Sequence, residues 1–131
     1  MRRIPLLVAV AALATFSLAA VGGKTAAEEA PLRFQSLTVA VQPEYDTREV
    51  LVIQEGELLP AGKGPYAGYI RFAIPKGASI DMACQVADNG NHYCQLYELE
   101  DKGEYAELRW RPGEAIGDKP YRAYLKFYYN P

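Results

Sequence analysis

Residues 80–97 read IDMACQVADNGNHYCQLY, and this stretch decides the fold. Ile80, Met82, Cys84 and Val86 recur with a period of two, the spacing of one face of a β-strand. Asp88-Asn89-Gly90-Asn91 follows, rich in residues that tolerate the positive φ of tight hairpins. His92 to Leu99 is then a return strand, so the segment reads as an antiparallel hairpin with a cysteine on each arm. A three-residue loop Asp88-Asn89-Gly90, with Gly90 left-handed, pairs residues whose numbers sum to 178 and sets Cys84 opposite Cys94. A two-residue Asn89-Gly90 turn gives a sum of 179 and puts the cysteines on opposite faces. That second register pairs Met82 with Tyr97 and Val86 with Tyr93, so hydrophobic matching does not choose between them. The first register brings the sulfurs within bonding reach, and we expect a Cys84–Cys94 disulfide.

Working outward, the same period recurs on both sides. Leu37, Val39 and Val41 alternate with polar or small residues up to Pro43. Glu49 to Gln54 is a nearly continuous apolar run, suited to a buried strand. Gly56, Pro60, Gly62, Gly64 and Pro65 mark an expected long loop. Ile70, Phe72 and Ile74 form a further stripe ended by Pro75. Tyr105 to Trp110 and Tyr121 to Tyr129 complete seven expected strands, the last alternating Tyr121, Ala123, Leu125, Phe127 and Tyr129 with Arg122, Tyr124, Lys126 and Tyr128. No segment after the N-terminal region has a 3.6-residue period, so no helical crossovers are expected and the sheets should be antiparallel. Seven short strands in about 100 residues point to an all-β, two-layer, immunoglobulin-like sandwich. The Cys…Trp…Cys order of antibody domains is absent, because Trp110 follows both cysteines.

The N-terminus has a different character. Met1-Arg2-Arg3 is cationic, residues 4–21 carry no charge, and small residues follow around Ala19 to Gly23 and Thr25-Ala26-Ala27. This is the layout of a secretory signal. We therefore expect residues 1–27 to be a signal peptide and residues 28–131 a single domain, periplasmic or extracellular. Export agrees with a disulfide. No cysteine follows the apolar run, so no lipid anchor is indicated, and no later stretch is apolar enough to span a membrane.

Composition narrows the function. Of 131 residues, 50% are hydrophobic and 23% charged, with a formal net charge of −2. Removing residues 1–27 leaves 11 basic against 16 acidic side chains, a net of −5. Such a balance disfavours nucleic acid and anionic lipid as partners. His92 is the only histidine, so a Ser/His/Asp triad or a His–Cys dyad would have to use it, with Cys94 the nearest nucleophile; a small hydrolase on His92 is the third reading. Zinc needs three or four nitrogen and sulfur ligands, and no metal or cofactor site is expected. The Gly56…Gly62-Lys63-Gly64 stretch fails as a phosphate loop in both spacing and context. Glu44 with Asp46, and Glu98 with Glu100 and Asp101, read as solvated turn residues rather than a glycosidase pair.

Tyrosine is the excess that points to binding, with ten in the chain. Tyr124 and Tyr128 on the last strand, with Tyr93 and Tyr97 on a neighbour, are the candidate ligand-binding residues: exposed tyrosines stack on sugars or anchor protein partners. The competing role is cross-strand packing. The reading favoured is a non-catalytic domain that binds a protein or polysaccharide of the cell envelope. The alternative is a structural or accessory subunit of a larger exported complex.

Pro43-Glu44-Tyr45-Asp46, then Val50-Leu51-Val52-Ile53, Gly56, Leu58 and Leu59-Pro60, resembles the "PEYD…VLVI..G.LP" opening of an uncharacterised family of exported bacterial β-sandwich proteins. Ile74-Pro75 and the tyrosine-rich final strand extend the resemblance over residues 37–129. It implies an envelope-associated β domain with no established catalytic residues. Some relatives continue past the tyrosine-rich strand, so this chain, stopping at Asn130-Pro131, is expected to be a minimal version or a fragment. Physically, Pro43 ends a strand, Asp46-Thr47 can cap the following turn, and Tyr45 is expected to cover the end of the sandwich.

Overall fold

The computed structural model describes residues 32–44 and 47–131. The expected signal peptide, and the expected placements of Tyr45 and Asp46, lie outside the described residues. Eight strands form two antiparallel sheets: β1 (Leu32–Pro43), β2 (Val50–Pro60), β3 (Ile70–Pro75), β4 (Ser79–Val86), β5 (His92–Cys94), β6 (Glu98–Asp101), β7 (Tyr105–Trp110) and β8 (Tyr121–Tyr129). Five strands run in the order β1-β2-β8-β4-β5 and three in the order β3-β7-β6. The described residues contain no helix. The fold is all-β, with the two sheets layered on one core.

The hairpin at residues 80–97 takes the first of its two registers. Cys84 pairs with Cys94, Gln85 with Tyr93 and Val86 with His92. Gly90 has a φ of 82°. Its N–H donates to the Ala87 carbonyl at 2.9 Å, and the Ala87 N–H donates to the Asn91 carbonyl at 2.9 Å, which closes the three-residue loop. The Asn89 side chain accepts from the Asn91 N–H at 2.9 Å. Cys84 and Cys94 are joined by a disulfide.

Alternation along each strand builds the core. Leu58, Tyr121, Ala123, Leu125 and Phe127 of the larger sheet face Ile70, Phe72, Ile74, Leu108 and Trp110 of the smaller one. The Trp110 indole stacks on Phe72, with centroids 5.6 Å apart, and its Nε1–H donates across the layers to Tyr121 Oη at 2.9 Å. Burial pushes the Tyr121 hydroxyl pKa up, although the hydrogen bond from Trp110 pulls the other way. That is the expected behaviour of a phenol withdrawn from water.

Two expectations about strand limits are corrected. The return strand expected over residues 92–99 is two strands in different sheets. After Cys94 the Gln95 N–H makes a bond to the Ala83 carbonyl; the chain then crosses layers, and Leu99 pairs with Leu108 of β7. This gives eight strands where seven were expected. The long loop expected to begin at Gly56 starts only after Pro60, because β2 continues to that residue in register with β1. Gly56 is needed inside the strand: a Cβ there would lie 2.7 Å from the ring of Phe34, which leans across it. A glycine in a strand interior marks such close approaches.

Candidate functional site

Strand β8 lies at the centre of the larger sheet, between β2 and β4. Its inward residues are core, so Arg122, Tyr124, Lys126 and Tyr128 point outward. Register places Leu51 beside Tyr128, Ile53 beside Lys126 and Glu55 beside Tyr124. On the other side, Cys84 pairs with Tyr124 and Ser79 with Tyr128. The His92 ring stacks on Tyr124 with centroids 4.4 Å apart and planes 27° from parallel. Two ion pairs interleave with the tyrosines: Arg122 with Glu55 at 3.1 Å on one side of Tyr124, and Lys126 with Asp81 at 2.9 Å between Tyr124 and Tyr128. The Asp81 carboxylate, through its hydrogen bond to the ammonium, raises the Lys126 pKa. The outer face thus carries Leu51 and Ile53 next to Tyr128, with Lys126 between Tyr128 and Tyr124, so apolar and charged groups alternate along it. Tyr124 and Tyr128 are four residues apart, about 14 Å along the strand.

The four candidate tyrosines are not one site. Tyr124 and Tyr128 share the outer face. Tyr93 pairs with Gln85, whose other neighbour is the core residue Ala123, so alternation turns it to the inner side at the β5 edge. Tyr97 lies in the crossing between β5 and β6. Tyr93 and Tyr97 are 53% and 41% exposed, and Leu96 and Leu99 are 99% and 52% exposed. The sequence reading missed Leu96 because it was assigned to the interior of a strand.

His92 is exposed, and Cys94 is bonded to Cys84, so the candidate His–Cys dyad lacks its thiol. No group of three or more His, Cys, Asp or Glu side chains among the described residues could hold a metal ion. An open cavity of about 540 Å³ lies between the β4–β5 and β7–β8 loops. The Lys119–Asp88 ion pair is on its rim.

The outer face of the smaller sheet is a charge ladder. Arg109 donates to Glu98 at 2.9 Å and Glu100 at 3.2 Å. Arg71 faces Glu107 at 3.6 Å. The Tyr69 ring lies under the guanidinium groups of Arg111, at 4.4 Å, and Arg109, at 4.9 Å. Counter-ions are already in place for Arg109 and Arg71, which makes this face a stabilising surface network.

No family model matches the sequence, and no curated protein matches it.

Proposed function

We propose that the protein is a non-catalytic, exported β-sandwich domain that binds a protein or polysaccharide in the cell envelope, a relative of the exported family sharing the PEYD opening. The observation that carries this reading is the outer face of the five-stranded sheet, where Tyr124, stacked on His92, and Tyr128 sit on the central strand. A sheet face with one tyrosine held by a stacked ring and with ion pairs interleaved between the tyrosines suits stacking on sugar rings, with polar groups at hand for hydroxyls. The disulfide favours an oxidising compartment, in keeping with the signal-like N-terminus.

The test is binding of the exported protein to a panel of envelope glycans. A saturable signal lost in Tyr124→Ala and Tyr128→Ala, with folding intact, supports the proposal in its polysaccharide form. Binding to no glycan and no envelope protein, or turnover of a substrate that vanishes in His92→Ala, contradicts it.

A second reading has its own observation. Leu96, fully exposed in the crossing between β5 and β6 and next in sequence to Tyr97, is an apolar projection of the kind that docks into a protein pocket. It favours an accessory subunit of a larger exported complex. Co-purification of one stoichiometric partner, lost in Leu96→Asp and kept in Tyr124→Ala, distinguishes it from glycan binding.

A further inference from the structure

The smaller sheet does not cover the whole inner face of the larger one. Register carries that face outward from Ala123, Leu125 and Phe127 of β8 to Gly56, Gln54 and Val52 of β2, and on to Leu37, Val39 and Val41 of β1. Phe34, nearer the start of β1, reaches Phe72 of the smaller sheet with centroids 6.0 Å apart. Beyond it the cover ends: Leu37, Val39 and Val41 are 47%, 50% and 60% exposed. β1 is also the end strand of its sheet, so among the described residues one row of its backbone N–H and C=O groups has no strand beside it. At 12 residues it is the longest strand.

Edge strands are ordinarily blunted by a charge, an internal proline or a bulge that turns them away. Here no charged residue stands between Phe34 and Pro43, the only proline is the last residue, and the bulge lies at the start, between Phe34 and Ser36. The charges fall at the two ends and are opposite: Arg33 at the start and Glu44 just past the finish.

We propose that β1 is a homodimerisation edge, pairing antiparallel with β1 of a second copy about a two-fold axis through Val39. That axis sets Val39 against the second copy's Val39, and Leu37 and Val41 against the second copy's Val41 and Leu37. The two stripes merge into one apolar band on the inner side of a ten-stranded sheet. Antiparallel pairing brings each Arg33 toward the other copy's Glu44, whereas parallel pairing would set Arg33 beside Arg33. A two-fold contact must be self-complementary, and a charge-free strand with opposite ends meets that condition.

The test is sedimentation of the full-length expressed protein from about 1 µM to about 500 µM, the range that an interface below standard size demands. The expected result is a mass that doubles with concentration. Val39→Lys places two ammonium groups face to face and should weaken association about 100-fold or more. Its half-exposed site leaves the circular dichroism spectrum unchanged. Because the described residues hold no free cysteine, an introduced thiol reports geometry directly. Val39→Cys should oxidise to a covalent dimer. Val41→Cys, on the same face but about 14 Å from its own copy across the axis, should not. A monomer throughout the range, a dimer unaffected by Val39→Lys, or equal cross-linking of the two cysteine variants would overturn the proposal.

Discussion

The two cysteines of the hairpin make unequal contributions, and the inequality is measurable. Cys84 is fully buried on β4, whereas Cys94 is exposed on the edge strand β5. Cys94→Ala removes the cross-link and little else. With a sequence separation of 10, the loop-entropy relation gives about 2.7 kcal/mol at 25 °C. Cys84→Ala loses the same cross-link and also leaves a void where the sulfur was, which adds about 1 kcal/mol. For a domain of this size, about 2.7 kcal/mol lowers Tm by roughly 10–20 °C. Urea unfolding followed by circular dichroism should show both variants with lowered midpoints, and a larger m-value because the unlinked denatured chain exposes more surface. Cys84→Ala should be the less stable of the two. A loss below about 0.5 kcal/mol in Cys94→Ala would refute the loop-entropy reasoning, and a Cys84→Ala variant more stable than Cys94→Ala would refute the burial assignment.

Other expectations follow from single contacts. Tyr121→Phe leaves the buried Trp110 indole N–H without its acceptor and should cost about 1–3 kcal/mol in denaturant unfolding. Gly56→Ala drives a methyl into the Phe34 ring; overpacking of about 1–3 kcal/mol outweighs the chain-entropy gain of about 0.4–1 kcal/mol, so thermal unfolding should come earlier. Glu100 is held below the ordinary carboxylate pKa chiefly by its hydrogen bond from Lys102, and Asp101 by the Gly103 N–H and then Lys76. Lowered pKa values contribute stability above the ordinary carboxylate range and lose it as pH falls. The melting temperature should therefore drop below about pH 4, and the drop should shrink in Asp101→Asn. Intact-mass analysis of the protein expressed with its own N-terminus in a secreting host tests the export proposal: the expected chain starts after the small-residue region near residue 27 and is two hydrogens lighter than the dithiol.

The hairpin register was legible because it rests on local chemistry: three loop residues, one of them Gly90, and a pair of cysteines that can bond in only one of two pairings. The inward row of β8 was legible for the same kind of reason, since Ala123, Leu125 and Phe127 alternate strictly with charged residues and tyrosines. What failed was non-local. Nothing within residues 92–99 says that the chain changes sheets after Cys94, because both halves pair well with different neighbours. Gly56 reads as a loop residue until Phe34, 22 positions earlier, lies across it. The candidate tyrosines were separable only in part. Alternation placed Tyr124 with Tyr128, but the sheet change moved Tyr97 out of a strand, and Tyr93 fell on the other face from Tyr124. The exposure of Leu37, Val39 and Val41 depends on the width of the opposing sheet, which no pattern within β1 encodes.

The central claim is a two-layer antiparallel sandwich with β8 at the heart of the larger sheet. Residue-resolved amide hydrogen exchange tests it most directly. The slowest amides should be those of Ala123 to Phe127, with Leu96 and Tyr97 in the crossing, which carry no strand pairing, exchanging much faster. If β8 exchanged as fast as that crossing, or if protection followed a helical pattern, the account would be contradicted.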